Sequence, residues 1–327
     1  MKTKFKAPIP KYPWPYSQSP LTGRLAEEGL FWYDTDYDFL SPSTHDKYKN
    51  RHQLVSAAEH MSCTTTNVDH LRPIARVMIW LTIFDDYYEL CPVSEMLVIR
   101  DHLVAILLGE TPKSTDIGIY RDIAHSRDEF LRFMPYEWME RVAEATYRYI
   151  TYGMIEETPY KLTRTYPSLA HLMIMREYSI TVPIYSLMVD PAINFMLPKQ
   201  VNNHPVIQRL RSVMCQIMSI QNDFFSLQKE LERDTEVINI LFVLQHEFSM
   251  SMEEACTEAL RIHDGLVAEF VALHKALPDF GAIHKDVDNY VLHMGMMIQG
   301  LNVWYQGDTV RYVPSEFPYP EYSQPPV

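Results

Sequence analysis

The chain has 327 residues, only ten of them glycine, and a formal net charge of −13 at pH 7. That balance excludes a nucleic-acid binder, which rests on clustered Lys and Arg, and no apolar run approaches the roughly 20 residues of a membrane span. Low glycine with frequent Met, Leu and Ile favours an all-α protein. The four cysteines, Cys63, Cys91, Cys215 and Cys256, are scattered without zinc spacing, which fits a reduced, cytoplasmic setting.

In chain order, residues 1–20 are Pro-rich and aromatic and are expected to form an extended strap on the folded body. Their basic start lacks the apolar core of a secretion signal. A first helix is expected from Leu25 to Tyr33, a loop from Asp34 through Pro42, and a second helix from Leu54 to Met61. Asn67 to about Leu90 reads as a helix with Pro73 in its first turns and Pro92 beyond its end. Val93 to Leu108 follows, closed by Gly109, and Glu110 to Gly118 reads as a loop. Ile119 to Phe133 and Tyr136 to Thr158 are the next helices; another opens at Pro167 and is bent or broken by Pro183. A long Pro-free helix is expected from Pro205 to Arg233, then Glu236 to Phe248. The Ser251/Glu254 capping signature starts a helix to about Ala276, and the last runs from Ile283 to Tyr305. No repeat or linker divides residues 21–313, so one helical domain is expected, with 314–327 a Pro- and Tyr-rich tail.

Within the Pro-free helix, Asn222, Ser226 and Glu230 recur at i, i+4 and i+8, which aligns an amide, a hydroxyl and a carboxylate on one face. Such spacing is common on solvated faces, but Ile217, Met218, Ile220, Phe224, Phe225 and Leu227 show that this helix enters a core. One carboxylate with two neutral oxygens suits Mg²⁺, which completes its shell with water and substrate phosphates.

The apolar run Val77 to Phe84 leads directly into Asp85-Asp86-Tyr87-Tyr88-Glu89. Acids beside such a run are costly unless paired, metal-bound or at a wet opening. Asp85 and Glu89 share a face by their i,i+4 spacing, with Asp86 one step around.

Asp-Asp-x-x-Glu upstream and Asn-Asp-x-x-Ser-x-x-Lys-Glu downstream together resemble the class I terpene cyclases, especially the single-domain microbial type. The resemblance implies an all-α, single-domain helical bundle around a central active-site cavity, with the two motifs facing each other and holding three Mg²⁺ ions on the substrate diphosphate. It makes Asp85 the principal ligand, with Asp86 and Glu89 supporting, and gives Asn222, Ser226 and Glu230 the remaining ion. The family's diphosphate-sensing Arg falls on Arg176, its diphosphate Lys on Lys229, and its carboxy-terminal Arg-Tyr pair on Arg311-Tyr312. These matches run from Asp85 to Tyr312, most of the chain. The family usually has an Asp three residues after the sensor and then a small residue whose carbonyl points at substrate. Ser179 and Ile180 stand at those positions, which gives the effector carbonyl to Ile180 and offers the Ser179 hydroxyl to Arg176.

The resemblance implies ionisation of a linear isoprenyl diphosphate, farnesyl before geranylgeranyl, and cyclisation to a sesquiterpene or diterpene hydrocarbon or alcohol. Aromatic walls would face the carbocation, the candidates being Trp80, Phe84, Tyr178, Phe225 and Trp304. The resemblance also favours a homodimer. A chain-elongating prenyltransferase is the enzymatic rival, although that family usually carries a second Asp-rich motif where this chain has Asn222/Ser226/Glu230. A non-catalytic isoprenoid-binding protein with a degenerate site is the other. The pair His263-Asp264 lacks the partners of a phosphohydrolase site and is read, with His60, His70 and His171, as structural.

Overall fold

The structure, a computed structural model, describes residues 7–233 and 236–318. The first residues of the strap and most of the tail lie outside them. Among the described residues the regular elements are all helical. In order they are α1 (Ala26–Asp36), α2 (Pro42–Asn50), α3 (Leu54–Met61), α4 (Val68–Tyr88), α5 (Val93–Leu107), α6 (Gly118–Phe130) and α7 (Tyr136–Tyr149). A π-helical turn (Ile150–Met154) leads into α8 (Ile155–Thr163), followed by α9 (Leu169–Ser179), α10 (Val182–Tyr185), α11 (Val189–Ile193) and α12 (Lys199–Asn202). The chain continues with α13 (Pro205–Arg233), α14 (Ile240–Phe248), α15 (Met252–Lys275) and α16 (His284–Gly307). No helix of the described residues is long and apolar enough to cross a membrane.

Local chemistry sets the ends. The Asn67 side chain accepts the Asp69 N–H at 3.0 Å to start α4, and Ser251 and Glu254 form a reciprocal capping box at α15. Gly109 closes α5 at φ +117°, a conformation that only glycine adopts freely. The structure departs from the expected elements in three places. Helix α2 fills residues 42–50, between the expected loop and the helix expected at Leu54, where no element was expected; Ser41 caps it with Pro42 at its first position. The helix expected from Tyr136 to Thr158 extends past Pro159 to Thr163, with the π turn inserted. Helix α9 ends at Ser179, before Pro183, and Thr181 takes φ +64°.

Helix α4 packs outward against α3 and α6, whereas α13 packs against α9, α15 and α16. The cavity lies between them, so residues near the end of α4 face residues near the end of α13. Close approaches fix the walls. A side chain at Gly300 would strike the His60 carbonyl on α3, and one at Gly153 in the π turn would strike the Ser179 backbone on α9. The strap lies on the opposite side of α13: Trp14 packs over Gly295 and edge-on to Phe270, and Tyr12 accepts a hydrogen bond from Gln221 at 2.8 Å. His263 also joins Tyr12 at 2.9 Å, which gives it an anchoring contact. The four cysteines are buried, and no disulfide joins them.

Candidate active site

Helix α4 delivers Asp85, Asp86 and Glu89 at its C-terminal end, where the helix dipole opposes negative charge and counter-charges are needed. Arg311 supplies one, its two terminal nitrogens 2.7 Å from the two Asp86 oxygens, and the Tyr48 hydroxyl donates to the same carboxylate. Burial pushes the Asp86 carboxyl up, but Arg311 and Tyr48 outweigh it and the net shift is downward. Asp85 accepts the Tyr149 hydroxyl at 2.7 Å, and burial still pushes its carboxyl up to about 6, against the pull of Lys161. Glu89 is also raised by burial, and the Lys161 ammonium stands 3.6 Å away.

Across the cavity, Asn222 and Glu230 line the wall on α13. The Asn222 amide nitrogen donates to Tyr305 at 2.9 Å and Tyr312 at 3.1 Å, which turns its oxygen toward Arg176, 3.5 Å away. Asn239 donates to Glu230 at 2.6 Å while its own oxygen caps α14. Ser226 is buried beneath these two, its hydroxyl donating to the Asp223 carbonyl at 3.4 Å, and is not among the cavity-lining residues.

Arg176 enters from α9 and donates to Asp223 at 2.9 Å. The Ser179 hydroxyl, offered to Arg176 by the sequence, is buried without a hydrogen-bond partner among the described residues; Asp223 holds the arginine instead. Burial pushes the Asp223 carboxyl up to about 7, with Arg176 opposing. Ile180 lines the cavity just before the left-handed Thr181. Lys229 stands 3.3 Å from Glu230. Phe317, on the carboxy-terminal segment, is wedged between Lys229 at 3.9 Å and Arg311 at 4.4 Å from its ring centre.

The same cavity has apolar walls formed by Met61, Met78, Leu81, Val182, Met218 and Leu301 with Tyr185 and Trp304. Of the expected aromatic walls, Trp304 lines the cavity, its indole N–H fixed on the Gln53 carbonyl at 2.9 Å. The structure places the other four elsewhere. Trp80 and Phe84 stack on each other along the stripe of α4 that faces away from Leu81 and Asp85. Tyr178, two residues past Arg176, points out of the other side of α9 into an external cleft against Tyr152. Phe225 stacks on Tyr305 at 4.5 Å, behind the wall.

Among the described lining residues, seven carboxylates face four cations, a formal surplus of three negative charges. The donors at the two motifs are all oxygen, and no three acidic, histidine or cysteine groups among the described residues form a cage on their own. Oxygen donors, surplus charge and open shells fit divalent ions that complete their coordination with water and phosphate. The sequence missed Lys161, Glu157, Asp223, Asn239 and Phe317. Glu157 and Lys161 lay in an i,i+4 pair visible in the sequence, whereas the others depend on contacts between segments.

This helical architecture is that of the terpene synthases. Germacradien-4-ol synthase from Streptomyces citricolor superposes with a TM-score of 0.76 at 18% identity, over 90% of this chain and 99% of its own. The a-eudesmol synthase structure gives 0.77 at 19%, over 90% and 98%. Residues 76–269 match the family described as terpene synthase family 2, C-terminal metal binding, and the chain belongs to that family. Among curated relatives, 10-epi-cubebol synthase of Sorangium cellulosum is 28% identical over 87% of this chain and 89% of its own. The (2E,6E)-farnesyl diphosphate-cyclizing (+)-T-muurolol synthase of Roseiflexus castenholzii is 25% identical over 93% of each. The chain is thus a terpene synthase.

Proposed function

We propose that this terpene synthase is a Mg²⁺-dependent cyclase that ionises farnesyl diphosphate and closes the resulting cation into a sesquiterpene. The supporting observation is a surplus of carboxylates in one cavity that also holds Arg176, Lys229 and Arg311 and is otherwise lined by apolar side chains. The farnesyl substrate is favoured over geranylgeranyl diphosphate because the relatives above include a farnesyl diphosphate cyclase. Asp85, Asp86 and Glu89 on one side, and Asn222 and Glu230 on the other, would hold the ions, three by family resemblance; Ser226, assigned with them by the same resemblance, would join only by turning its hydroxyl from the Asp223 carbonyl. When bound, Mg²⁺ supplies Lewis-acid stabilisation of the departing diphosphate.

The chain's own groups do the rest. Arg176, Lys229, Arg311 and Tyr312 bind and orient the diphosphate, placing its negative charge where it grows as the allylic C–O bond breaks. Tyr149 and Tyr48 fix the acidic-motif carboxylates, and Tyr305 fixes the Asn222 amide. Met78, Leu81, Val182 and Trp304 exclude water from the cation, and the Trp304 face stabilises it. The Ile180 carbonyl, at the end of α9, is the initiating dipole.

The test is incubation of the purified protein with Mg²⁺ and, separately, geranyl, farnesyl and geranylgeranyl diphosphate, with mass spectrometry of the extracts. A cyclic C15 product from farnesyl diphosphate is expected. Longer linear diphosphates formed only with added isopentenyl diphosphate would move the chain to the prenyltransferases. No product from folded protein that binds Mg²⁺ and diphosphate would make it a binding protein.

A further inference from the structure

Three of the cavity cations follow one pattern. Arg311 holds Asp86, Arg176 holds Asp223 and Lys229 holds Glu230, each pairing a carboxylate on or beside a metal motif with a cation assigned to the diphosphate. Lys161 repeats it. Its ammonium, on α8, lies 2.9 Å from Glu157 and 3.6 Å from Glu89, and its side chain is 18% exposed. Lys161, Glu157 and Glu89 all line the same cavity.

An ordinary i,i+4 pair of Glu157 with Lys161 is the simpler account, but such pairs sit on solvated helix faces. Here Glu157 is 6% exposed, and its Oε1, 3.9 Å from Arg176, is buried without a hydrogen-bond partner among the described residues. A divalent ion that took Glu89 would also take a partner from Lys161. The ammonium would then keep Glu157 in contact, with Glu236 and Asp85 acting on it from farther along the same cavity wall, and a desolvated ammonium turned toward the cavity favours a further anionic partner.

Resting on the cyclase reading above, we propose that Lys161 is a fourth diphosphate-binding cation, which exchanges Glu89 for a phosphate oxygen when a divalent ion takes that carboxylate. No covalent step is involved. Before substrate enters, the same lysine competes with divalent ions for Glu89, so it couples metal binding to diphosphate binding.

The experiment titrates inorganic diphosphate into the full-length protein at saturating Mg²⁺, and Mn²⁺ alone by electron paramagnetic resonance, for wild type, Lys161→Gln and Lys161→Arg. In Lys161→Gln, diphosphate affinity should fall roughly 10- to 100-fold, the range for losing a hydrogen bond to a charged group, while Mn²⁺ alone binds more tightly. Lys161→Arg should restore diphosphate binding. A merely structural lysine would not shift the two affinities in opposite directions. Unchanged diphosphate affinity in folded Lys161→Gln, with normal wild-type binding, overturns this proposal alone. Wild-type protein that binds no diphosphate with Mg²⁺ overturns the cyclase reading as well. Should Lys161→Gln fail to fold, the Lys161 Nζ resonance of [¹⁵N]lysine-labelled wild type, assigned by its loss in Lys161→Arg, must move on adding Mg²⁺ and diphosphate. A stationary resonance overturns the proposal.

Discussion

Helix α4 carries two clusters of buried charge, one in each half, and they differ in what can reach them. Near its start, Arg76 meets Asp122 at 2.5 Å and Asp36 at 3.4 Å, with Trp32 stacked over the guanidinium at 4.4 Å and Tyr37 donating to Asp122 at 2.7 Å. None of these groups lines the cavity. At its end, Asp85, Asp86 and Glu89 also have protein partners, but they open onto the cavity, where an incoming ion can replace those partners. Buried charge alone therefore does not make a site. The first cluster holds helices together, and the second is built to exchange partners.

Substitution at the open cluster should damage turnover without damaging the fold. Asp85→Ala is expected to reduce kcat/KM for farnesyl diphosphate by roughly 10²- to 10³-fold, the scale of losing a preorganised charge stabiliser. Its thermal midpoint should stay level or rise, because burial already disfavours the Asp85 carboxylate. Asn222→Ala should behave alike. Activity within tenfold of wild type in both would break the metal assignment.

The closed cluster should show the reverse. Arg76→Met leaves Asp36 and Asp122 buried without their main counter-charge, a cost of about 3–5 kcal/mol in denaturant unfolding. The folded fraction should retain kcat within about threefold, since Arg76 touches no cavity group. A loss of turnover per folded molecule would show that the clusters are coupled along α4.

How much of this was legible follows the same division. The frames of α4 and α13 could be read because apolar periodicity and flanking signals mark them, so both metal motifs fell on helices facing one cavity. Helix α2 was missed because Pro42–Asn50 has almost no apolar stripe, although Ser41-Pro42 is a start signal. The stripe of α4 that faces the cavity depends on where α3 and α6 pack, so Trp80 and Phe84 could not be placed from the sequence. Asp223 next to Asn222 has no role that the sequence alone assigns; only the packing of α9 and α14 reveals that it holds Arg176 and accepts the Ile240 N–H. Phe317 reaches Lys229 only through the folded chain end.

A gentler change separates positioning from binding within the open cluster. Tyr149→Phe removes the hydroxyl that orients Asp85 and leaves the ring. Outer-shell losses of this kind cost about 10- to 100-fold in metal affinity or activity. The Mg²⁺ concentration for half-maximal rate should rise, with a smaller change in kcat at saturating metal. A loss of kcat that saturating Mg²⁺ does not recover would give Tyr149 a role beyond holding Asp85.

The smallest effect expected is a pH dependence in the closed cluster, and its sign is the informative part. Burial pushes the Asp122 carboxyl up to about 6, with Arg76 pulling it down and Asp36 pushing it further up. The folded protein therefore binds this proton more tightly than the unfolded chain does. Asp122 contributes most to stability below its unfolded pKa of about 4 and loses that contribution as pH rises through about 6. Asp122→Asn has no such proton, so the substitution should cost more near pH 4.5 than at pH 7.5, by roughly 1–3 kcal/mol. An ordinary stabilising ion pair with Arg76 would give the opposite trend, the cost growing toward neutral pH as the carboxylate ionises. Other cavity and core carboxylates titrate in the same window, so the measurement is the difference between wild type and variant in denaturant unfolding. A difference that widens with pH would mean that Arg76 outweighs desolvation and that the closed cluster is held by attraction between full charges.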